Sequence, residues 1–385
     1  MRPDELWMRE ATLPVEVERV RAEVREFLAC ERASGGFRPH CNAWLEGYDP
    51  EFSRKLGARN WLGMTWPSRY GGAERSGLER FVVIEELLAA GAPVAAHWIA
   101  DRQTGPALLR FGTEQQRQRF LPSITRGECF FSIGMSEPES GSDLASVRTA
   151  ARRIDGGWIV SGSKVWTSHA ARNHYMIALC RTSDRGEDRH QGLSQLIVDL
   201  RDDDVHVRPI KLIGGQEHFA EVRLEDVFVP DEMLLGAEGN GWQQVNAELA
   251  HERSGPERYL STFPLLAQLL AVRRSGGCVV DCDPGLGALI AEIWSLRMMS
   301  QAVARQLDAG HAPHVEAALV KDLGTQLEND VADLAHLAAP RPLVREPDDD
   351  YARLLAEAIQ AAPGFTIRGG TTEILRAIIS KAVVT

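Results

Sequence analysis

The strongest constraint on the fold is a change of texture in the middle of the chain. Between about Phe131 and Leu235 the sequence breaks into short β-prone runs separated by turns: Phe130 to Met135, Trp158-Ile159-Val160, Met176-Ile177-Ala178-Leu179, Leu196-Ile197-Val198, Glu221 to Leu224 and Val227-Phe228-Val229. These runs are too short and too evenly punctuated for a parallel sheet with crossover helices, and a small antiparallel barrel or sandwich fits them better. On both sides the pattern is helical. Val17, Val20, Val24, Phe27 and Leu28 recur at helical spacing between Leu13 and Arg32, and further blocks run from Leu78 to Ala90 and from Glu114 to Phe120. After Gly241 the helical pattern returns in Trp242 to Arg253, Leu286 to Leu307, Val315 to Leu337 and Tyr351 to Ala361, the last with Asp348-Asp349-Asp350 as a cap. The reading is an α+β multi-domain protein. It has an N-terminal helical domain (1–128), a central antiparallel β-barrel or sandwich domain (129–238) and a C-terminal four-helix bundle (239–385). The stretch Arg273 to Pro284 reads as a loop.

A chain of 385 residues, 44% apolar and 25% charged, is long enough to bury a large core, and its net charge of −11 argues against a nucleic-acid surface. The six cysteines are scattered without a CxxC pair, and Cys278 and Cys282, though near each other, lack a second ligand pair; a reducing compartment follows. No HExxH or Cys/His cluster indicates a metal site. The N-terminus has no apolar core of a secretory signal. The most apolar stretch, Leu87 to Ala100, is interrupted by Pro93 and His97 and falls short of the ~20 residues of a membrane span. The expectation is a cytoplasmic protein with no membrane partner.

Two segments carry chemistry. Met135-Ser136-Glu137-Pro138-Glu139-Ser140-Gly141-Ser142-Asp143 offers a strand end and then small residues whose amides and hydroxyls can approach a pyrophosphate closely. Gly162-Ser163-Lys164-Val165-Trp166-Thr167-Ser168 sets an aromatic ring beside two hydroxyls. A ring can stack against an isoalloxazine, and a nearby amide or hydroxyl can hydrogen-bond flavin N5 or O4. The pair reads as a flavin cradle. Gly157 to Lys164 resembles a P-loop only superficially, because Ser163 intervenes between Gly162 and Lys164, and it reads as a β-turn. No GxGxxG follows a strand.

With these segments the chain resembles the acyl-CoA dehydrogenase family from about Trp61 to about Lys381. The resemblance is supported by Trp61 to Pro67 with Tyr70-Gly71-Gly72, by Gly112-Thr113-Glu114-Gln115-Gln116 leading to Phe120-Leu121-Pro122, and by Gly214-Gly215 through Glu221-Val222. Val227 to Pro230, Gly241-Trp242 and Gly370-Thr371-Thr372-Glu373-Ile374 come next in family order. The resemblance implies FAD held between the β domain and the helical bundle, with Met135, Ser136, Gly141, Ser142, Trp166, Ser168, Thr371 and Glu373 in contact with it. It also implies removal of the α-proton of an acyl-CoA thioester by a carboxylate while the β-hydride leaves for flavin N5, giving the trans-2-enoyl product. In one branch of the family the base lies in a Glu-Arg pair on the helix after the β domain, here Glu252 with Arg253 as electrostatic buttress. Glu248 and Glu257 are the fallbacks. The other branch's Glu-Gly-Thr motif is closed, since Gly369 stands where its Glu would be.

Two family features that normally hold FAD across a subunit interface have no counterpart. They are an Arg-x-x-x-Phe-Gly segment, replaced by Leu260 to Gly277, and a Gln-x-x-Gly-Gly-x-Gly loop, absent from Arg341 to Tyr351. The implied partners are an acyl-CoA, an electron-transfer flavoprotein or equivalent acceptor, and either copies of this chain or a related subunit in a heterotetramer. The ending Gly-Gly-Thr-Thr-Glu-Ile-Leu-Arg is closer to bacterial enzymes of sterol side chains, which suggests a bulky or cyclic acyl group. Three alternatives stay open: an acyl-carrier-protein dehydrogenase, a flavin oxidase of the same fold, and a non-catalytic subunit of a heteromeric enzyme.

Overall fold

The computed structural model describes residues 13–184, 186–311, 313–340 and 349–384, with the side chains of 249–252 and 383–384 outside the description. The chain divides into two compact units. One comprises Asp49–Glu74 and Ala95–Leu249, the other Met1–Tyr48, Arg75–Val94 and Ala250–Thr385.

The first unit is built on an eight-stranded sheet of β1 (Phe131–Gly134), β2 (Ala150–Ile154), β3 (Gly157–Ser168), β4 (Tyr175–Arg181), β5 (Leu193–Asp199), β6 (Val205–Ile210), β7 (Phe219–Pro230) and β8 (Leu234–Leu235). The strand order is β6-β7-β3-β2-β4-β5-β8. Most pairings are antiparallel, as the short punctuated runs require. The exceptions are β1, which lies parallel to β4, and a single parallel pair, Ala150 with Arg181, between β2 and β4. Parallel neighbours need a long connection, and the segment carrying the β2–β3 hairpin supplies it. Phe120, Phe131, Trp158, Met176, Leu196 and Val222 pack in its core, joined by helix Glu114–Thr125. That helix is started by a capping box in which Thr113 and Gln116 satisfy each other's backbone N–H.

Two readings of strand boundaries are corrected. The segment 157–164 is no turn: it begins the twelve-residue β3, whose register against β7 shifts between Val160 and Gly162 and again between Lys164 and Thr167. Likewise Glu221–Leu224 and Val227–Val229 are one strand, β7, broken only by a bulge with Asp226 at φ 56°. The bulge is closed by Ser161 Oγ donating to Asp226 Oδ1 at 2.6 Å. A bulge interrupts the alternation that sequence periodicity depends on, so one strand reads as two pieces.

The second unit is helical. Helices Val15–Ala33 and Gly77–Ala89 belong to it together with Phe263–Arg274, Asp283–Asp308, His314–Ala338, Asp350–Phe365 and Thr372–Val384. Arg21 bonds both Glu85 and Glu86, at 3.0 and 2.9 Å, and Arg297 bonds Glu85 at 2.6 Å, so three helices meet on one half-buried ion network. Val303, Val320, Leu327, Leu355 and Phe365 fill the interior. Asp349 caps helix Asp350–Phe365 through Ala352 N at 2.8 Å, as its aspartate run predicts, whereas Asp348 lies outside the described residues. Helix Phe263–Arg274 is an addition to the expected set. It starts with Pro264 in its first turn and buries Leu265, Leu266 and Leu269, so the loop expected from Arg273 to Pro284 narrows to 275–282.

Candidate active site

The two chemistry-bearing segments meet where β1 ends. The chain leaves β1 at Gly134 and crosses β3, where Val165 N donates to the Ser136 carbonyl at 2.9 Å. Beneath that crossing lies the fully buried Lys164. Its Nζ donates to Leu179 O at 2.6 Å, to Glu137 Oε1 at 2.9 Å and to Met135 O at 3.3 Å. Glu137 in turn accepts from Thr149 Oγ1 at 2.6 Å, Thr149 N at 2.9 Å and Arg148 N at 2.7 Å. Burial alone would raise the Glu137 carboxyl; Lys164, the Thr149 hydroxyl and the Arg148 amide outweigh it and hold it below the ordinary range. Lys164 and Glu137 are the site residues that sequence reasoning missed. No local signal marks them, since a strand lysine points to solvent as readily as to a buried anion and the segment itself reads as a turn.

This clamp fixes the last residues of β3. Lys164 and Thr167 both point inward and are fully buried, and the register shift between them sets two residues, Val165 and Trp166, opposite the single Glu221 of β7. Trp166 adopts φ 58°, a conformation that a bulky residue seldom occupies, and its indole stays 53% exposed, touched edge-on by Phe219 at 5.8 Å. Next to it the Thr167 hydroxyl is buried without a hydrogen-bond partner. Ser168 pairs with Phe219 across the sheet and accepts from Ser132 Oγ through its carbonyl at 2.7 Å.

The other predicted residues of this unit are close by in the chain. Met135 packs against Val147, Leu179, Leu193 and Val245. The loop after it is closed by reciprocal Glu137–Ser140 backbone bonds of 2.7 and 3.0 Å and by Ser140 Oγ donating to Asp143 O at 2.7 Å. Gly141 and Ser142 stand exposed at its tip, and a side chain at Gly141 would meet nothing within 4 Å. An exposed, strained indole beside an open, small-residue loop fits a flavin. The protein's own packing asks for neither the exposure nor the strain.

The remaining predicted residues lie on helix Gly241–Glu252 and in the helical unit. Glu252 ends that helix, and its side chain lies outside the described residues. Arg253 is buried, and its Nε donates to Gly369 O at 3.1 Å; it is a brace on the Gly369-Gly370 turn and not a surface charge. Both glycines have positive φ, 68° and 103°, and a side chain at 369 would run into the Arg258 guanidinium at 3.0 Å. A side chain at 369 would thus be strained by the positive φ and would require the Arg258 guanidinium to shift. Thr371 caps helix Thr372–Val384 through Ile374 N at 3.4 Å, and the exposed Glu373 is held below the ordinary carboxylate range by its own backbone N–H and the Thr371 hydroxyl. Of the fallback bases, Glu248 is buried and accepts from Gln195 Nε2 at 2.9 Å, and Glu257 is buried beside Arg258. Of the segment expected to lack the Gly-Gly loop, Arg341 to Tyr351, residues 341–348 lie outside the described residues. Among the described residues no group of three or more His, Cys, Asp or Glu could hold a metal, and no helix is long and apolar enough to cross a membrane.

Three family models match the chain in order: the N-terminal domain of acyl-CoA dehydrogenase over 14–128, the middle domain over 132–227 and the C-terminal domain over 284–384. Acyl-CoA dehydrogenase IpdE1 of Mycobacterium tuberculosis is 32% identical over 392 residues, covering 96% of this chain and 97% of its own. The chain belongs to the acyl-CoA dehydrogenase family. Acyl-CoA dehydrogenase FadE34 of the same organism is 31% identical over 97% of this chain, which spans about half, 52%, of FadE34. Among solved structures, the Tcur3481-Tcur3483 steroid ACAD aligns with a TM-score of 0.84 at 26% identity over 98% of each chain. The ChsE4-ChsE5 complex from Mycobacterium tuberculosis aligns with a TM-score of 0.82 at 27% identity over 98% of each. Acyl-CoA dehydrogenases are flavin-dependent oxidoreductases, and the β3 cradle lies within the middle-domain match.

Proposed function

We propose that this chain catalyses the FAD-dependent α,β-dehydrogenation of an acyl-CoA thioester to the trans-2-enoyl-CoA. Trp166 carries the proposal: an indole held in left-handed backbone, exposed, and fixed by the buried Lys164–Glu137 pair is a prepared surface for a planar ring. Met135, Ser136, Gly141, Ser142 and Ser168 are the flavin contacts we assign in the sheet-bearing unit, and Thr371 and Glu373, at the start of helix Thr372–Val384, those in the helical unit. Bound FAD supplies the acceptor for the β-hydride. Glu252 takes the α-proton, and Arg253 braces the Gly369-Gly370 turn. The substrate class we favour is a bulky or cyclic acyl chain of the sterol side-chain kind, a reading supported by the name of the Tcur3481-Tcur3483 steroid ACAD. An electron-transfer flavoprotein or equivalent acceptor reoxidises the enzyme.

A second reading has this chain complete the FAD site of a related subunit. It is favoured by the missing cross-subunit motifs and by the likeness to the ChsE4-ChsE5 complex. Glu252→Gln separates the two. If this chain carries the base, the variant keeps its flavin and loses about 10²–10⁴-fold in turnover, and substrate no longer bleaches the flavin band under anaerobic conditions. Unchanged turnover would remove Glu252 from the mechanism.

A further inference from the structure

Cys278 and Cys282 flank the end of the loop 275–282 in the helical unit, and Cys282 Sγ donates to Cys278 Sγ at 3.5 Å. Two other buried thiols make different contacts: Cys41 donates to the Leu354 carbonyl and Cys180 to that of Ala178. Bringing two sulfurs four residues apart into contact requires the loop to fold back on itself, and the structure has the parts that do it. Arg273, at the end of helix Phe263–Arg274, forms a bidentate pair with Asp283, the first residue of the next helix, at 2.5 Å for both bonds, so the two ends of the loop are tied together. Gly276, at φ 75°, makes the reversal. Val279 N reaches Ala338 O at 3.5 Å, which docks the loop on helix His314–Ala338.

From this geometry we infer that Cys278 and Cys282 are a vicinal dithiol that closes reversibly to a disulfide when a low-molecular-weight disulfide of the glutathione class reaches it. Cys278 is partly exposed and Cys282 is 1% exposed, so the order of attack is fixed. Cys278, as thiolate, attacks one sulfur of the small disulfide and expels the other as a thiolate, leaving a mixed disulfide on Cys278. Cys282, losing its proton to solvent, attacks the Cys278 sulfur and expels the second small thiolate. The protein loses two hydrogens and two electrons, and one small disulfide becomes two small thiols. Burial and the neighbouring Cys282 push the Cys278 thiol up to about 11, so it is protonated at neutral pH and reacts slowly. The closed form staples the loop to the start of helix Asp283–Asp308, and the ion pair between Arg273 and Asp283 is what holds the sulfurs ready.

The test uses the full chain, folded, incubated with oxidised glutathione, quenched with iodoacetamide and digested for mass spectrometry. The expected result is an unalkylated peptide two hydrogens lighter that contains both cysteines, and that returns to two alkylated thiols after dithiothreitol. In Cys282→Ser the glutathione adduct should accumulate on Cys278 and persist. Arg273→Gln should slow closure several-fold without removing either thiol. Two independently alkylated cysteines after incubation, or a glutathione adduct on Cys278 that persists in the unsubstituted chain, would overturn the inference. The readout involves no flavin and no turnover, so it stands apart from the proposed dehydrogenation.

Discussion

Trp166 is where local cost and function are most closely joined. A bulky L-residue at φ 58° is strained by about 1–2 kcal/mol relative to the right-handed region. In ordinary backbone glycine is the less stable choice than alanine; here the order should invert. Trp166→Gly is expected to be more stable than Trp166→Ala by about 1 kcal/mol in urea unfolding, since only glycine occupies that conformation freely. Both variants should bind FAD more weakly, because the indole is exposed and little of the fold depends on it. Equal flavin affinity in all three proteins would detach Trp166 from the cofactor. Arg253 is a second residue whose place in the fold differs from its local pattern. A charge before Ser254 and Gly255 reads as solvated, yet it is buried on the Gly369 carbonyl, a contact across more than a hundred residues that no local pattern can announce.

At the scale of elements, β3 explains both what the sequence disclosed and what it hid. Trp158-Ile159-Val160 is readable as strand because its residues are β-prone and apolar. The continuation through Ser161, Gly162 and Ser163 is not, since those residues favour turns and are kept extended by pairing of Ser161 with Ala150 of β2 and of Gly162 and Ser163 with β7, and by the buried Lys164–Glu137 bond. The helical unit is legible wherever apolar spacing is regular, as in Val17 to Leu28. Helix Phe263–Arg274 is harder to read although Leu265, Leu266 and Leu269 sit at helical spacing, because the element is short and Pro264 near its start resembles loop punctuation. The Lys164–Glu137 pair yields its own prediction. Lys164→Met leaves the buried Glu137 carboxylate without a cation, held only by Thr149 and the Arg148 amide, and should destabilise the protein by about 3 kcal/mol at pH 7. The folded-state ionisation of Glu137 is depressed, so its stabilising share is present above the ordinary glutamate range, ~4.3, and is lost as pH falls through the folded value. The gap between variant and parent in urea midpoint should therefore narrow on acidification from pH 7 to 3. A gap that stays constant would mean that the lysine acts by packing alone.

For the molecule as a whole, acid stability is set in part by a histidine outside the cradle. His97 is buried in the sheet-bearing unit with its Nδ1 2.8 Å from Ser53 Oγ, and burial, opposed weakly by Asp101, lowers its pKa to about 4. The folded state resists a proton that the unfolded chain accepts near 6.5, so stability is full above that value and falls as pH drops from 6.5 to 4, by about 3 kcal/mol. His97→Asn should flatten that limb of the stability curve measured by denaturant unfolding; an unchanged slope would place the sensitivity elsewhere. Such a fold can carry its chemistry only if flavin is present, and that is the claim on which the rest depends. The most direct measurement is the visible spectrum of the purified chain, with FAD counted per chain, recorded anaerobically before and after adding a panel of straight-chain, branched and sterol-derived acyl-CoAs. The account predicts near-stoichiometric flavin whose absorbance bleaches with the bulky or cyclic thioesters. A colourless chain that takes up no added FAD would contradict it and would transfer the active site to a complex with a second subunit.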